Sequence, residues 1–291
     1  MRICLENNTV LAEIDVVGAE LKRLTIQGKD YLWNSDPKFW EQSSPILFPI
    51  VCDARNDEVV IRGKRYPMER HGFVQHKEFT VQQQREDRVV LTIRDDETTR
   101  ANYPYWFELI VTYQLLENGI QIRTTVKNLD QEAMYYQLGF HPGFFCPWNP
   151  GETVEDYDLV FEKKETIDTP LLNGATRLVE SDTVNYSMKD ACRIRLNREL
   201  FQKDALIFDQ ISSRKISLEN RMTKEHLCVA FPDFEMLGIW SPYPAEAPFV
   251  CIEPWNGTGT NAADDDEMTS RRGVQILQPG QKKEYEWGIC V

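Results

Sequence analysis

Apolar and polar residues alternate along much of the chain with a period of two, which is the period of a half-buried β-strand. Residues 107–115, FELIVTYQL, place apolar side chains at every second position, and residues 120–128, IQIRTTVKN, repeat the alternation after the short turn ENG. These two segments predict a β-hairpin with one face in water. The C-terminal residues 284–291, EYEWGICV, follow the same pattern and predict a further strand.

Shorter strand-like segments occur throughout the rest of the sequence: TVLAEID, RVVLTIR, MYYQLGF, DYDLVFE, RIRLN, ALIFD, KISLEN, HLCVAF and FVCIEPW. Helical periodicity is scarce, and only DPKFWEQ and NRELF favour a turn or two of helix. Many strands without crossover helices predict an all-β fold, a large antiparallel β-sandwich. No repeat, linker or change of composition divides the chain, so we expect one domain over residues 1–291.

Composition narrows the range of partners. The chain has 291 residues, 42% of them hydrophobic, which is enough to bury a large core. The formal net charge of −13 repels phosphate backbones and anionic lipid surfaces, so neither nucleic acid nor a membrane is an expected partner. Neutral sugars are bound by hydrogen bonds and aromatic stacking, and acidity does not argue against them.

The cysteines are odd in number, scattered, and form no C-x-x-C pair: Cys4, Cys52, Cys146, Cys192, Cys228, Cys251 and Cys290. This pattern predicts reduced, mostly buried thiols in a cytoplasmic protein. The N-terminal residues lack the apolar run of a signal peptide, and the longest apolar stretch, PILFPIVC, is too short to span a bilayer.

One histidine stands in an unusual place, among aromatic, glycine and proline residues. His141 lies in QLGFHPGFFCPW, directly after a predicted strand. One interpretation is a half-buried imidazole that packs on rings and makes one hydrogen bond. The other is a proton-transfer group, partly desolvated by neighbouring rings so that its pKa stays near neutrality. The neighbours expected to do this are Phe140, Phe144, Phe145 and Trp148.

A carboxylate also stands in an apolar context. Glu253 lies in CIEPWNGTGT, between Cys251 and Trp255. Loss of hydration there would raise its pKa toward the range of a general base. The alternative interpretation is that Glu253 caps a turn or pairs with an arginine. A further histidine, His71, is followed by glycine and phenylalanine in MERHGFVQHKEF.

Other chemistries fit the sequence poorly. His71 and His76 are five residues apart, which places them on opposite faces of a strand, and no set of Cys and His has the spacing of a zinc site. The acidic run ADDDEMTSRR lacks the spaced ligands of a calcium loop, and neither G-x-S-x-G nor a phosphate-binding glycine loop occurs. We therefore expect no metal and no cofactor. A His and Glu pair in an acidic, aromatic-rich β-protein is suited to proton transfer on a neutral polyol.

Several motifs, in order and over nearly the whole chain, resemble the aldose 1-epimerase (galactose mutarotase) family in its LacX-like branch: YLWNSDPKFWEQSSPILFPIV, YPMERHGFVQHKEF, QLGFHPGFF, LGIWSPYPAEAPFVCIEPWNG and LQPGQKKEYEW. The resemblance implies a large β-sandwich with a sugar site on a concave face. It also implies a cofactor-independent isomerase that interconverts the α and β anomers of a free aldose by acid–base ring opening.

The resemblance also implies roles for individual residues. His141 corresponds to the general acid on the ring oxygen, and Glu253 to the general base on the anomeric hydroxyl. His71 corresponds to a histidine that assists near the ring oxygen. The mechanism requires an acid and a base that face each other across the sugar, which would explain the placement of His141.

Three further residues are candidates for sugar binding. Asp204, in FQKDALIF, resembles the substrate-binding aspartate of the family, and Arg55, in VCDARND, is the candidate for its arginine. Trp255, beside Glu253, completes the set. The usual glycine and basic residues of the family are replaced in VCDARND. The expected ligand is a hexose such as galactose or glucose, and the oligomeric state stays open.

Two alternatives remain at this point. One is a non-catalytic carbohydrate-binding or regulatory protein on the same fold, which the altered VCDARND segment would favour. The other is a hexose-6-phosphate 1-epimerase, which would need converging basic side chains. The candidates for such a cluster are Arg70, Lys77, Arg271 and Arg272.

Overall fold

The computed structural model describes all 291 residues, and 51% of them lie in strands against 7% in helices. The helical segments are short: the α-helix α1, Glu97–Arg100, and the 3-10 helices Arg55–Asp57, Val74–His76, Val154–Asp156, Arg198–Phe201 and Met268–Ser270. No helix of the protein is long and apolar enough to cross a membrane. The all-β prediction is confirmed.

The strands are numbered in chain order: β1 Arg2–Glu6, β2 Val10–Asp15, β3 Leu21–Ile26, β4 Lys29–Asp30, β5 Ile46–Leu47, β6 Glu58–Ile61, β7 Lys64–Pro67, β8 Thr80–Gln84, β9 Arg88–Arg94, β10 Phe107–Leu116, β11 Gly119–Asn128, β12 Met134–Tyr136, β13 Leu138–Phe140, β14 Gly143–Phe145, β15 Tyr157–Leu172, β16 Val179–Arg195, β17 Leu206–Phe208, β18 Lys215–Asn220, β19 His226–Ala230, β20 Met236–Trp240, β21 Phe249–Asn256, β22 Gln275–Leu277 and β23 Lys282–Cys290.

Two large antiparallel sheets form the framework. The first has nine strands in the order β16-β15-β18-β19-β23-β11-β10-β9-β8. The second has six strands in the order β17-β20-β21-β13-β5, with β14 also paired to β21. A four-stranded sheet, β1-β2-β3-β4, and the two-stranded pairs β12-β22 and β6-β7 complete the fold. Because β21 pairs with three neighbours, it lies in the middle of the second sheet.

The strand predictions hold where the alternation is regular. The predicted hairpin is β10 and β11, paired from Phe107 with Asn128 to Leu116 with Gly119, and RVVLTIR is β9. The segments DYDLVFE and RIRLN are only the ends of the long strands β15 and β16, whose middle parts are too polar and exposed to show an apolar pattern. NRELF contains a 3-10 helix, whereas DPKFWEQ forms a turn rather than a helix.

The core lies between the two large sheets. A single cluster of 68 buried hydrophobic residues extends from Ile3 to Ile289. Aromatic pairs join the sheets across it. The ring centroids of Phe140 in β13 and Trp287 in β23 are 5.0 Å apart, and those of Phe161 in β15 and Phe208 in β17 are 5.3 Å apart. Burial of this apolar surface is the main source of stability.

Strand β21 presents different chemistry on its two faces. Val250 and Ile252 belong to the large core cluster, whereas Phe249, Cys251 and Trp255 belong to smaller clusters. Since side chains alternate along a strand, Glu253 shares the face of Cys251 and Trp255. The second sheet therefore packs on the core with one face and carries Glu253 on the other.

Candidate active site

The strand register places His141 opposite Glu253. In β13, Gly139 pairs with Trp255, and in β14, Gly143 pairs with Cys251. His141 lies in the short break between β13 and β14, and the same register continued through the break sets it against Glu253. The His141 amide donates to the carbonyl oxygen of Pro45 at 3.1 Å, which fixes the backbone in the break.

The two side chains are in contact and nearly buried. Nε2 of His141 lies 3.1 Å from Oε2 of Glu253, and the side chains are 10% and 1% exposed. Both carboxylate oxygens of Glu253 lack a hydrogen-bond partner of good geometry, and so does Nδ1 of His141. Buried polar atoms are nearly always satisfied in folded proteins, so this group of unsatisfied atoms makes the pair a candidate functional site.

The environment disfavours charge on both groups. Burial, assisted by the charge of Arg70, lowers the pKa of His141 to about 3. Burial also raises the pKa of Glu253 well above its usual value; Asp204 adds to this, while Arg70 and the Trp255 indole oppose it. At neutral pH the pair therefore holds one titratable proton. Burial disfavours both the charged imidazolium and the charged carboxylate.

His71 is held next to this pair by a backbone amide. Its ring lies 5.5 Å from that of His141. The amide N–H of Cys52 donates to Nδ1 of His71 at 3.1 Å. Burial, with the charge of Arg70, lowers the pKa of His71 well below its usual value, so the ring is neutral. Because an amide can only donate, Nδ1 accepts this bond, and the donor Nε of Arg70 faces the other ring nitrogen, Nε2, at 3.2 Å.

A buried arginine braces the segment that orients His71. Nη2 of Arg271 donates to the carbonyl oxygens of Val51 at 3.0 Å and Asp53 at 3.3 Å, which flank Cys52. The Arg271 side chain has no carboxylate partner, and burial lowers its pKa to about 10. This desolvated cation therefore holds the Cys52 amide in the position from which it bonds His71.

An aromatic and polar cleft of about 790 Å³ opens above His141. Its lining residues are Pro37, Phe39, Trp40, Glu41, Gln42, Arg70, His71, Gln75, His76, His141 and Trp240. The rings of Trp40 and Trp240 lie 4.9 and 5.7 Å from the imidazole of His141. Most lining residues are polar, with aromatic rings among them, which suits a polar ligand that also stacks on rings.

The structure corrects the expectation about which aromatic residues surround His141. Phe140 and Phe144 lie in the large core cluster, and Phe145 packs on Trp33. Trp148 packs on the rings of Tyr31 and Tyr157. Side chains adjacent to His141 in sequence point away from it because they alternate across the strand. Its true neighbours, Trp40 and Trp240, come from distant segments.

Asp204 and Trp255 both lie near Glu253. Asp204 lines an adjoining cleft of about 600 Å³ that shares Trp240 as a wall. Trp255 is 2% exposed, and a β-carbon on Gly139 or Gly238 would lie 2.8 or 2.5 Å from its ring. These two glycines therefore leave room for the indole, and Trp255 lines neither cleft.

Arg55 is not brought into the site. Its Nη2 donates to the carbonyl oxygens of Asn261, Ala262 and Asp264, each at 3.1 Å, and its Nε lies 3.6 Å from Asp266. The turn that contains Arg55 directs the side chain into the acidic loop. This result corrects the expectation that Arg55 would line the sugar site.

Arg70 is the arginine that the structure places in the cleft. Its Nε lies 3.2 Å from Nε2 of His71 and 3.7 Å from Oδ2 of Asp53. Asp53 is a further site residue that sequence reasoning missed; it is 1% exposed and also bonds Arg177 at 3.1 Å. The position of Arg70 directly before His71 is the signal in the sequence that points to this role.

His71 and His76 both line the cleft; His71 is half-buried, whereas His76 is exposed and lies 3.7 Å from Glu69. All seven cysteines are free, four of them buried. One cluster of metal-ligand types does occur, formed by His141, Cys251 and Glu253. The arrangement as a whole is an aromatic and polar cleft with a buried histidine–carboxylate pair at its base.

Sequence comparisons show the family of the chain. The family profile described as aldose 1-epimerase matches residues 1–276, and the chain belongs to this family. The plasmid and chromosomal LacX proteins of Lactococcus lactis subsp. lactis are each 34% identical over 297 residues, covering 98% of both chains.

Solved structures lead to the same fold. A galactose mutarotase related enzyme from Lactobacillus acidophilus has a TM-score of 0.94 at 31% identity, covering 100% of this chain and 97% of that chain. A galactose mutarotase-like protein from Lactobacillus casei has a TM-score of 0.92 at 28% identity, covering 100% and 99%. The family and the galactose mutarotase-like β-sandwich predicted from sequence are thus confirmed.

Proposed function

We propose that the protein is an aldose 1-epimerase that interconverts the α and β anomers of a free hexose such as galactose or glucose, without a cofactor. The observation that carries this proposal is the contact of 3.1 Å between Nε2 of His141 and Oε2 of Glu253 at the base of an aromatic cleft.

The proposed reaction exchanges protons one for one. Glu253 takes the proton from the hydroxyl on C1 while His141 gives a proton to the ring oxygen, and the bond between C1 and the ring oxygen breaks. The open-chain aldehyde rotates about its C1–C2 bond and closes on the other face, which returns both protons. The total number of protons on the pair stays constant, as expected for two groups that share one.

The pair lies side by side, which corrects the expectation that the acid and the base face each other across the sugar. This agrees with the chemistry, because the C1 hydroxyl and the ring oxygen are bonded to the same carbon. One acid and one base in contact can therefore reach both oxygens at once. Each group typically contributes on the order of 10²- to 10⁴-fold to the rate.

Surrounding residues supply the remaining interactions in this proposal. His71, whose ring lies 5.5 Å from that of His141, assists near the ring oxygen. Arg70 stabilises the carboxylate form of Glu253, which is the base, because its charge lowers the pKa of that group. Trp40 and Trp240 stack on the apolar faces of the sugar, and Asp204 accepts from a sugar hydroxyl.

The basic residues considered for a sugar phosphate do not converge. Lys77 lies in a separate polar groove and donates to Thr98 at 2.6 Å. Arg272 pairs with Asp209 at 2.6 Å, and the donors of Arg271 are used by buried acceptors. Only Arg70 reaches the cleft, which favours a neutral sugar over a hexose 6-phosphate.

Polarimetry of freshly dissolved α-D-glucose and galactose tests the proposal. We expect accelerated mutarotation that persists after exhaustive treatment with EDTA, since the proposed acid and base are side chains. Sugar binding without acceleration across a panel of aldoses would instead indicate a carbohydrate-binding protein. Acceleration restricted to hexose 6-phosphates would indicate the phosphate-specific alternative.

A further inference from the structure

Cys251 adds a third ligand type to the acid–base pair. It lies two residues before Glu253 on β21 and is fully buried. One ligand atom each from His141, Cys251 and Glu253 lie within 4.8 Å of one another. The proposed reaction uses the histidine and the glutamate but gives the thiol no role.

The spacing is close to that of a zinc site. Zinc binds Cys, His and carboxylate ligands at about 2.0–2.3 Å in a tetrahedron, which sets the ligand atoms about 3.3–3.8 Å apart. The imidazole and carboxylate of His141 and Glu253 are already 3.1 Å apart. Modest rotation of the Cys251 thiol and of Glu253 would complete three corners, and water from the cleft would supply the fourth.

Two further features favour a cation here. Both oxygens of Glu253 are buried without a hydrogen-bond partner, so an ion would satisfy acceptors that the protein leaves unused. A divalent ion with one thiolate, one carboxylate and a neutral imidazole has no net charge. A neutral assembly avoids the cost of burying an uncompensated ion.

We propose that His141, Cys251 and Glu253 bind a thiophilic divalent cation, zinc or its spectroscopic substitute cobalt, and that the bound ion inhibits the enzyme by occupying the acid–base pair. Binding releases the thiol proton and the proton of the pair to solvent, and no redox change occurs. The ion is an inhibitor and not a cofactor. The binding site stands on the geometry alone, whereas the inhibition rests on the proposed function.

The protein contains one competing pair of thiols. Cys228 of β19 and Cys290 of β23 are direct partners in the strand register, and Cys290 is exposed. Soft divalent ions would also bind such a pair. The experiment must therefore distinguish the buried site from this surface pair.

Cobalt titration of the reduced, full-length protein makes this distinction. We expect about one equivalent of Co²⁺ to give a thiolate-to-cobalt charge-transfer band. The band should persist in Cys290→Ser and be lost in Cys251→Ser, with Cys251→Ala as a second variant should the serine protein fail to fold. Absence of the band in both wild type and Cys290→Ser, or its loss in Cys290→Ser alone, would overturn the proposal.

Competition and inhibition complete the test. Saturating galactose should weaken Co²⁺ binding about tenfold or more, because sugar and ion use the same pair. Zn²⁺ should abolish mutarotation in the wild type, EDTA should restore it, and Cys251→Ser should be about tenfold less sensitive. If the protein proves inactive, the band alone still decides whether the site exists. A band insensitive to galactose in an active protein would contradict inhibition at this pair.

Discussion

Cys52 and His71 hold each other through two reciprocal hydrogen bonds. The Cys52 amide donates to Nδ1 of His71 at 3.1 Å, and the His71 amide donates to the carbonyl oxygen of Cys52 at 2.9 Å. Both residues have left-handed backbone conformations, with φ of 58° and 65°. Side chains other than glycine disfavour this region, so the fold stores backbone strain where it fixes a histidine of the site.

That strain predicts an inverted order of stability for two substitutions at Cys52. Cys52→Gly and Cys52→Ala both remove the thiol, but only glycine adopts the left-handed conformation without cost. We expect the glycine variant to be more stable than the alanine variant by about 1–2 kcal/mol, as measured by urea unfolding. An alanine variant equal to or more stable than the glycine variant would show that position 52 is unstrained.

Replacement of His141 by asparagine should nearly abolish mutarotation. The amide keeps some hydrogen bonding but cannot exchange a proton at neutral pH, so we expect turnover to fall on the order of 10²- to 10⁴-fold. Circular dichroism should show an unchanged fold. A fully active or unfolded His141→Asn protein would favour a purely structural histidine.

Glu253→Gln separates a base from a structural carboxylate. The amide keeps the shape but cannot accept the proton of the C1 hydroxyl, so turnover should fall roughly a hundredfold or more while galactose still binds. Isothermal calorimetry and polarimetry on one preparation give both values. Retained turnover would remove Glu253 from the mechanism.

The same variant should change how stability depends on pH. The pKa of Glu253 is raised in the folded state above 4.5, so folding takes up a proton and stability falls as pH rises. The lowered pKa of His141 acts in the opposite direction, but only below 6.5, where the unfolded histidine is protonated.

Above pH 6.5 only the Glu253 contribution remains. We therefore expect the wild type to lose up to about 1.4 kcal/mol per pH unit relative to Glu253→Gln from this pH upward, and the variant to become the more stable protein. Urea midpoints measured across the range check this. Parallel pH profiles for the two proteins would mean that Glu253 is ionised when buried.

Arg70 and Arg55 offer a matched pair of substitutions. Arg70→Ala should lower kcat/KM for galactose by roughly tenfold or more, because its charge stabilises the carboxylate of Glu253 at the base of the cleft. Arg55→Ala should reduce stability, since it removes three contacts to backbone carbonyls, but leave kcat/KM within about twofold. A larger kinetic loss for Arg55→Ala would restore the original expectation.

The sequence by itself determined the class of fold, because a period of two in apolar residues is a local property that forces one face of each strand toward a core. It therefore located the hairpin β10–β11 and identified His141 and Glu253 as polar residues in apolar surroundings. The sequence did not reveal the full length of strands β15 and β16, because their exposed middle parts bury little apolar surface.

Only the tertiary structure decided what surrounds those two residues. The pairing of β21 with β13 and β14 sets Glu253 against His141, and a strand register between distant segments leaves no local trace in either segment. Strand pairing also brought Trp240 to the cleft and Cys251 close to His141. The path of the chain after β5 directs Arg55 into the acidic loop and Arg70 into the cleft. Local alternation fixes which face a side chain takes; long-range packing fixes which side chains then meet.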